Sequence, residues 1–242
     1  MIKIKNISVT VEGKKILSNI NFDLKSGEII ALMGPNGSGK STIALTLAGH
    51  PKYQVTSGQI ILDNKNITAF TPDKRANSGL FLANQSPIAV PGLNVKSFLW
   101  QIYKNFHPSQ KMSLSEFRSW LQTEANDLEI NKELLDRNLN DGFSGGERKK
   151  MEVLQMLVSN PKYLILDEID SGLDIDALKK IASKINQLAQ KNKLGILIIT
   201  HYNRILKYLV PNQVLILEQG RVKSIGGIEF IDQIENNGFQ KK

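Results

Sequence analysis

The 242-residue chain contains no cysteine, which excludes disulfides and thiolate metal sites. Its three histidines, His50, His107 and His201, are too widely spaced to indicate a cluster of metal ligands. No apolar run approaches the ~18 residues that span a bilayer, and residues 1–6 lack the apolar core of a signal peptide. We therefore expect a cytoplasmic protein that does not itself insert into a membrane.

Acidic residues are fewer than basic ones: 23 aspartates and glutamates against 31 lysines and arginines give a net charge of +8. Residues 175–242 supply most of this excess, with 11 basic against 5 acidic side chains. The basic residues are spread over predicted helix faces and turns with few aromatics between them, which favours a solvated face over a nucleic-acid track. Direct binding of nucleic acid is therefore not expected.

The strongest motif is a glycine-rich segment between the apolar run Ile29–Met33 and the helical pattern Ile43–Ala48. Its spacing is G-x-x-x-x-G-K-S, in which backbone N–H groups close around phosphate oxygens at the positive end of a helix. A plain glycine-rich turn is the alternative, but such a turn has no need of Lys-Ser directly after its last glycine. We predict a nucleotide-phosphate cradle of the Walker A type, formed by Gly34, Pro35, Asn36, Gly37, Ser38, Gly39, Lys40, Ser41 and Thr42. Lys40 is predicted to reach the β- and γ-phosphates, and the Ser41 hydroxyl to ligate Mg²⁺.

The hydrophobic pattern predicts an α/β fold. Ile2–Val11 and Ile20–Leu24 alternate apolar with polar residues, as antiparallel strands with one wet face do. Glu28–Met33 is almost continuously apolar, which is typical of a central parallel strand covered on both faces. Gly58–Asp63 is predicted as a short strand, and Gly79–Gln85 as a return to the sheet that ends in a polar amide.

The segment 86–141 predicts a helical insertion. Pro87, Pro91 and Gly92 break the chain, and apolar residues then recur at helical spacing in Val95–Tyr103 and Ser115–Leu121. With 41% hydrophobic residues, the chain is long enough for one domain with an insertion. We predict a single domain, residues 1–242, with an α/β core of 1–85 and 142–242 and a helical subdomain of 86–141.

A second glycine motif lies at Gly142–Glu147, before an amphipathic helix pattern. Ser144 and Glu147 have the spacing of a capping box, which is a purely structural interpretation. Capping alone does not explain Gly145 and Gly146, because glycine destabilises a helix by about 1 kcal/mol relative to alanine. These glycines indicate that something approaches the backbone closely at this point.

Two carboxylates, Asp167 and Glu168, close a buried strand pattern that begins at Tyr163. A strand of this kind delivers acids to the carboxyl edge of a parallel sheet, where ligands bind, although a solvated strand end is the alternative. His201 follows another buried strand, Leu194–Thr200, and is placed at the same edge.

The remaining C-terminal elements are predicted from capping and alternation signals. They are a helix capped by Ser171–Asp174, a hairpin of Val214–Leu217 and Val222–Ile225, and a short helix at Glu229–Asn236.

Together the motifs resemble, in order and spacing, an ABC-type ATPase subunit over nearly the whole chain. They are Gly34–Thr42, Gln85, Phe143–Glu147, Leu164–Glu168, Ser171–Asp174 and His201. Within that family the chain is most similar to the SufC-like ATPases of the SUF iron–sulfur cluster assembly system. The stretches that carry this similarity are Thr46–His50, Tyr53–Thr56, Gly142–Glu147, Asp167–Ala177 and Thr200–Leu206. The resemblance implies a P-loop NTPase fold with a mainly parallel core sheet, an antiparallel β subdomain and an inserted helical subdomain.

The resemblance also implies hydrolysis of MgATP to ADP and phosphate, with roles at the matching positions. Mg²⁺ would be held by Ser41, Gln85 and Asp167. The catalytic residues would be Lys40, Gln85, which senses the attacking water, Glu168, which polarises it, and His201, which contacts the γ-phosphate. The opposite subunit of an ATP-dependent homodimer would present Ser144, Gly145, Gly146 and Glu147 to the nucleotide, with Asp174 at the dimer seam.

Two positions depart from the common pattern of the family. The residue before Gly13, which usually is an aromatic that stacks on adenine, is Glu12, and no aromatic occurs before Phe22. Weak selection of the base is therefore expected. The second glycine motif begins with Phe143 and has Glu147 where most transporters have glutamine, which fits the SUF branch better.

The partners implied by the resemblance are soluble SufB- and SufD-like scaffold proteins. The alternative, the ATP-binding subunit of a membrane transporter, shares every catalytic residue. A nucleotide-gated switch with little hydrolysis is disfavoured by Glu168 and His201. The loop after Gln85 carries Ile88, Val90 and Leu93, which are predicted either to pack the insertion onto the core or to form a docking patch for the partner.

Overall fold

The computed structural model describes residues 1–201 and 204–237; Tyr202 and Asn203, within the Thr200–Leu206 stretch, lie outside the described residues. The strands are β1 Ile2–Val11, β2 Lys14–Leu24, β3 Ile29–Met33, β4 Tyr53–Leu62, β5 Lys65–Asn66, β6 Leu80–Ala83, β7 Val90–Asn94, β8 Asn138–Leu139, β9 Tyr163–Asp167, β10 Gly195–Ile199, β11 Gln213–Glu218 and β12 Arg221–Gly226. The helices are α1 Lys40–Ala48, α2 Pro72–Asn77, α3 Val95–Phe106, α4 Leu114–Asp127, α5 Gly145–Ser159, α6 Ile175–Asn192 and α7 Glu229–Asn237, with 3₁₀ turns at Lys132–Asp136 and Ile205–Lys207.

The main sheet has the strand order β12-β11-β3-β10-β9-β6. Its strands are parallel except for β12, which forms the predicted hairpin with β11. β3 lies inside this sheet between β11 and β10, as predicted. Ala31 and Met33 face one core cluster, whereas Ile30 and Leu32 face the other. Burial of both faces is the reason why this strand is continuously apolar.

A second sheet, with the order β2-β1-β4-β5, is antiparallel throughout. Two strands of it are longer than predicted: β2 begins at Lys14 rather than Ile20, and β4 begins at Tyr53 rather than Gly58. The residues left out of the prediction, 14–19 and 53–57, are mostly polar, so the apolar signal begins later in the chain than the strand does. The β1–β2 turn consists of Glu12 and Gly13, both with positive φ (50° and 80°), as a tight hairpin turn requires.

The helices α3 and α4 lie within the segment 86–141, and the antiparallel pair β7–β8 brings its two ends together. Aromatic side chains pack between the helices, with ring centroids of Trp100 and Phe117 5.1 Å apart. On the core side, Lys184 of α6 places Nζ 2.8 Å from Glu124 and 2.6 Å from Asp127 of α4. These ion pairs tie the helical segment to the core, and the boundaries at 86 and 141 stay a prediction.

Among the helices of residues 1–201 and 204–237, none is long and apolar enough to cross a bilayer.

Candidate nucleotide-binding site

The glycine-rich loop connects β3 to α1 and needs glycine at several of its positions. Gly37 and Gly39 have φ of 78° and 105°, in the left-handed region that side chains rarely adopt. A Cβ on Gly34 would lie 2.1 Å from the carbonyl oxygen of Leu217, so a side chain does not fit there. Gly39 is also the N-cap of α1, so the loop ends at a helix N-terminus, whose N–H groups favour anions.

Lys40, the first residue of α1, turns its side chain back into the loop. Its Nζ donates hydrogen bonds to the carbonyl oxygens of Gly34 (2.9 Å) and Pro35 (3.1 Å). Burial lowers the pKa of Lys40, and the nearby Glu168 and Asp167 carboxylates oppose this shift. The ammonium group thus lies inside the loop that is predicted to hold phosphates.

Ser41 and Asp167, both expected from the resemblance to hold Mg²⁺, meet beside the loop. The Ser41 hydroxyl donates to Oδ1 of Asp167 at 3.3 Å, although 126 residues separate them. Burial raises the pKa of Asp167 to about 6, opposed by the Ser41 hydrogen bond and by Lys40 and increased by Glu168. A hydroxyl and a carboxylate, with the Gln85 amide nearby, supply oxygen ligands of the kind that Mg²⁺ prefers. The residues present therefore fit a magnesium ion.

Glu168 lies between Gln85 and His201. Nε2 of Gln85 donates to Oε2 of Glu168 at 2.6 Å, and Nδ1 of His201 lies 3.2 Å from Oε1. The strand β9 ends at Asp167, one residue earlier than predicted, and Glu168 adopts a positive φ of 51°. A non-glycine residue in this conformation costs of order 1–3 kcal/mol and persists only where the surrounding contacts hold it. Gln85 likewise lies two residues beyond the end of β6 rather than within the strand.

Gln85, Glu168 and His201 line one cleft of about 480 Å³ together with residues of the phosphate loop. Its lining residues are Ile16, Asn36, Gly37, Gly39, Lys40, Ser41, Thr42, Gln85, Glu168 and His201. The structure thus brings the phosphate loop and the predicted catalytic residues together. Ile16, on β2, was not predicted to belong to the site; it is an apolar residue that lines the cleft beside the loop.

The second glycine motif lies apart from this cleft. Ser144 is the N-cap of α5: its Oγ accepts from the Glu147 N–H at 3.3 Å, and Glu147 accepts from the Ser144 N–H at 2.7 Å. This confirms the capping box. Asp174 is the N-cap of α6 and accepts from the Ala177 N–H at 2.7 Å. Ser144, Gly145, Gly146, Glu147 and Asp174 are not among the residues that line the cleft.

Two buried charged residues of α5, Lys149 and Glu152, were missed by the sequence reasoning. They lie one turn apart in a helix whose buried face is otherwise mostly apolar. Charged residues at core positions of a helix pattern were the signal that could have singled them out.

The comparisons with known proteins agree with this geometry. A family model described as ABC transporter matches residues 17–171, which is more than half of the chain. The chain belongs to the ABC transporter family. This ABC ATPase is 44% identical over 242 residues to the Probable ATP-dependent transporter ycf16 of Cyanophora paradoxa, covering 99% of this chain and 93% of the relative. It is 45% identical over 237 residues to Vegetative protein 296 of Bacillus subtilis, covering 98% of this chain and 90% of that protein.

A solved structure confirms the predicted fold class. The dimeric, post-hydrolysis state of the ATP-binding cassette MJ0796, bound to ADP and Pi, superimposes with a TM-score of 0.79 over 94% of this chain and 99% of the other. At 22% identity this likeness establishes the fold alone. Membership of the family makes the chain an ATPase that uses ATP and Mg²⁺.

Proposed function

We propose that this ABC ATPase is the cytoplasmic, SufC-like subunit of a SUF-type iron–sulfur cluster assembly complex. In this proposal, ATP-driven closure of two copies moves soluble SufB- and SufD-like scaffold proteins. The main support for ATP hydrolysis in this proposal is that Gln85 and His201 both contact Glu168 beside the phosphate loop. The SUF assignment is supported by the sequence stretches Asp167–Ala177 and Gly142–Glu147.

Each side chain of the cleft has a defined task in this proposal. Lys40 exchanges its two carbonyl partners for phosphate oxygens and neutralises their charge. Glu168 accepts hydrogen bonds from the attacking water, and Gln85 fixes the orientation of the Glu168 carboxylate. His201, on the other carboxylate oxygen, faces the γ-phosphate. Ser41, Gln85 and Asp167 would hold Mg²⁺, which would supply charge neutralisation at the β- and γ-oxygens.

Two copies are needed for a complete site in this proposal. The cleft of one chain contains the phosphate loop, whereas the capped N-terminus of α5 lies apart from it. A head-to-tail pair would place Ser144 and Gly146 of one copy against the nucleotide of the other. Gly146 leaves room for the nucleotide of the other copy because it carries no side chain. The Ser144 cap already fixes the start of α5.

The partner surface centres on Ile88, three residues after Gln85. Its side chain is 76% exposed, and the Asn140 side chain holds the loop by donating to the Ile88 carbonyl oxygen at 2.8 Å. Of the two alternatives left open by the sequence, packing onto the core applies to Val90 and Leu93, which are partly buried against the main core cluster. An exposed apolar side chain on a loop fixed beside the catalytic glutamine suits a partner that senses the nucleotide.

The second candidate function is the ATP-binding subunit of a membrane transporter. The Cyanophora paradoxa relative, which is named a probable ATP-dependent transporter, favours it. Both candidates use the same cleft, so the partner decides between them.

Affinity purification of the tagged chain from its native cell is expected to recover proteins without membrane spans that carry cysteine ligands for clusters. Recovery of a multi-spanning permease instead would reject the SUF proposal.

The contact surface is tested with Ile88→Asp. We expect this variant to lose scaffold recovery while it keeps MgATP binding, because the side chain contacts solvent rather than the core. Val210→Asp, at another exposed apolar position (54% exposed), is the matched control and is expected to behave like the wild type. Scaffold recovery unchanged in Ile88→Asp would place the interface elsewhere.

A further inference from the structure

The helix that begins at the capped glycine motif carries two buried ionisable side chains. Lys149 and Glu152 of α5 are each only 5% exposed and lie one helical turn apart. A helix that only packs against a sheet is stabilised better by apolar residues, because a buried charge or unpaired polar group carries a desolvation penalty. The contacts of these two side chains explain why charged residues occupy the positions.

Lys149 holds the backbone that carries Glu168. Its Nζ donates to the carbonyl oxygen of Glu168 at 2.9 Å and also to that of Ser171. These two carbonyls flank the turn that follows β9, in which Glu168 has its positive φ. The acidic groups that act on the ammonium are Asp170, Glu152 and Glu168, and burial nevertheless lowers the pKa of Lys149.

Glu152 holds the backbone that carries Gln85. Its Oε1 accepts the N–H of Asn84 at 2.7 Å, and Asn84 directly precedes the glutamine. Its Oε2 is buried without a hydrogen-bond partner in the described part of the chain. The contact therefore depends on one oxygen, and it joins α5 to a short segment that leaves the edge strand β6.

We propose that Glu152 is a positioning residue that fixes the Gln85 backbone to α5, while Lys149 fixes the Glu168 backbone to the same helix. The 2.6 Å bond between Gln85 and Glu168 is thereby held from both sides by one rigid element. This inference rests on the proposed roles of Gln85 and Glu168. The N-terminus of α5 is proposed to contact the nucleotide that the opposite copy holds. Contact with that nucleotide would therefore be transmitted through α5 to Gln85 and Glu168 of the copy that carries the helix.

The test compares three substitutions on α5 in the purified protein. Glu152→Leu fills a similar volume but removes the acceptor for the Asn84 N–H, whereas Glu152→Gln keeps an acceptor oxygen. Gln155→Leu is the matched control, because within residues 1–201 and 204–237 the Gln155 amide donates only to the Met151 carbonyl oxygen of its own helix. For each variant, kcat, the Kd for MgATP and ATP-dependent dimer formation are measured.

We expect Glu152→Leu to lower kcat by about tenfold or more, since misplacement of catalytic groups by about 1 Å can cost 10²-fold. The Kd for MgATP should stay within about twofold, and Glu152→Gln should restore most of kcat because the acceptor is kept. A wild-type kcat in Glu152→Leu would overturn the proposal. Equal losses in Glu152→Leu and Glu152→Gln, or a parallel loss of nucleotide affinity, would overturn it too.

Two further variants keep the outcome decisive. If Glu152→Leu fails to fold, Lys149→Met carries the test, because the same mechanism predicts a lower kcat with unchanged MgATP binding. A wild-type kcat in folded Lys149→Met then contradicts the proposal. Glu168→Gln is measured in parallel. Normal turnover in Glu168→Gln would reject the proposed catalytic site itself. If Glu168→Gln is slow and Glu152→Leu turns over normally, only the positioning role of Glu152 is rejected.

Discussion

Gln85 donates a 2.6 Å hydrogen bond from Nε2 to Oε2 of Glu168, although 83 residues separate the two along the chain. The bond fixes the carboxylate with one oxygen toward Gln85 and the other toward His201. Glu168 is largely buried (8% exposed) and lines the cleft. This pair is the geometric centre of the proposed chemistry, and the first prediction concerns it.

Glu168→Gln is expected to bind MgATP normally and to hydrolyse it at least about 10²-fold more slowly, since general-base catalysis contributes about 10²- to 10⁴-fold. The amide has the shape of the carboxylate but does not accept a proton from water. Single-turnover hydrolysis and nucleotide affinity are the two measurements. Lys40→Ala is the contrasting variant: it should lose nucleotide binding itself, because the charge inside the phosphate loop disappears. Near-normal turnover in Glu168→Gln would remove this residue from the role.

The second prediction concerns the two half-sites of one chain. Lys40→Ala disables the phosphate loop, and Gly146→Asp disables the opposite half-site by placing a carboxylate against the phosphates. In the described part of the chain, a Cβ at Gly146 meets only Leu173, at an ordinary 3.7 Å, so the monomer should tolerate the change. Each variant alone is expected to be inactive. A mixture of the two should regain ATPase activity, because a mixed dimer contains one complete site.

Protein concentration gives an independent measurement of the same pairing. Activity per subunit in the wild type should rise with concentration and follow the ATP-dependent dimer seen by light scattering. An inactive mixture, or activity that is independent of concentration where only monomer is present, would contradict the pairing.

The phosphate loop could be predicted from sequence because its chemistry is local. Spacing, glycine content and the flanking strand and helix lie within residues 29–48, and the structure forms the loop as predicted. The placement of Asp167 and Glu168 followed from one further rule, that parallel strands deliver their carboxyl ends to one edge of the sheet.

The contacts that could not be predicted depend on distant backbone atoms. Glu152 binds the N–H of Asn84, and Lys149 binds the carbonyl oxygen of Glu168, across 68 and 19 residues. Arg75 similarly donates to carbonyl oxygens of Thr46 and Leu47 at the end of α1. Backbone groups are the same at every position, so the sequence carries no signal for which of them a side chain will reach.

The third prediction concerns the base. Ile16 lines the cleft beside the phosphate loop, and the chain has Glu12 rather than an aromatic before Gly13. An aliphatic side chain packs on any base without reading its hydrogen-bonding edge, so selection of ATP over GTP should be weak. Ile16→Ala should weaken both nucleotides by a similar factor, about tenfold for the loss of about 1–2 kcal/mol of apolar contact. A preference for ATP of several hundredfold would show that another residue reads the base.

The last prediction concerns pH and the buried carboxyl of Glu152. Burial raises the pKa of Glu152 to about 8, although the Asn84 N–H and the neighbouring Lys149 oppose this shift. In the unfolded chain the group returns to its ordinary pKa of 4.5. Between these values the folded protein binds a proton that the unfolded chain has released, so stability falls as pH rises through this window. The contribution of the protonated carboxyl is complete below about pH 4.5 and is lost as pH approaches 8.

Glu152→Gln isolates this contribution, because the amide stays neutral at every pH and keeps an acceptor for the Asn84 N–H. The free energy of unfolding in urea, measured without nucleotide or metal from pH 5 to 8, should fall more steeply for the wild type than for the variant. Burial also raises the pKa of Asp167 and of Asp170, but these groups add the same slope to both proteins and cancel in the comparison. Gln155→Leu should run parallel to the wild type. If Glu152→Gln runs parallel as well, then the Glu152 carboxyl does not change its proton occupancy on folding, and its second oxygen must be solvated in the native state.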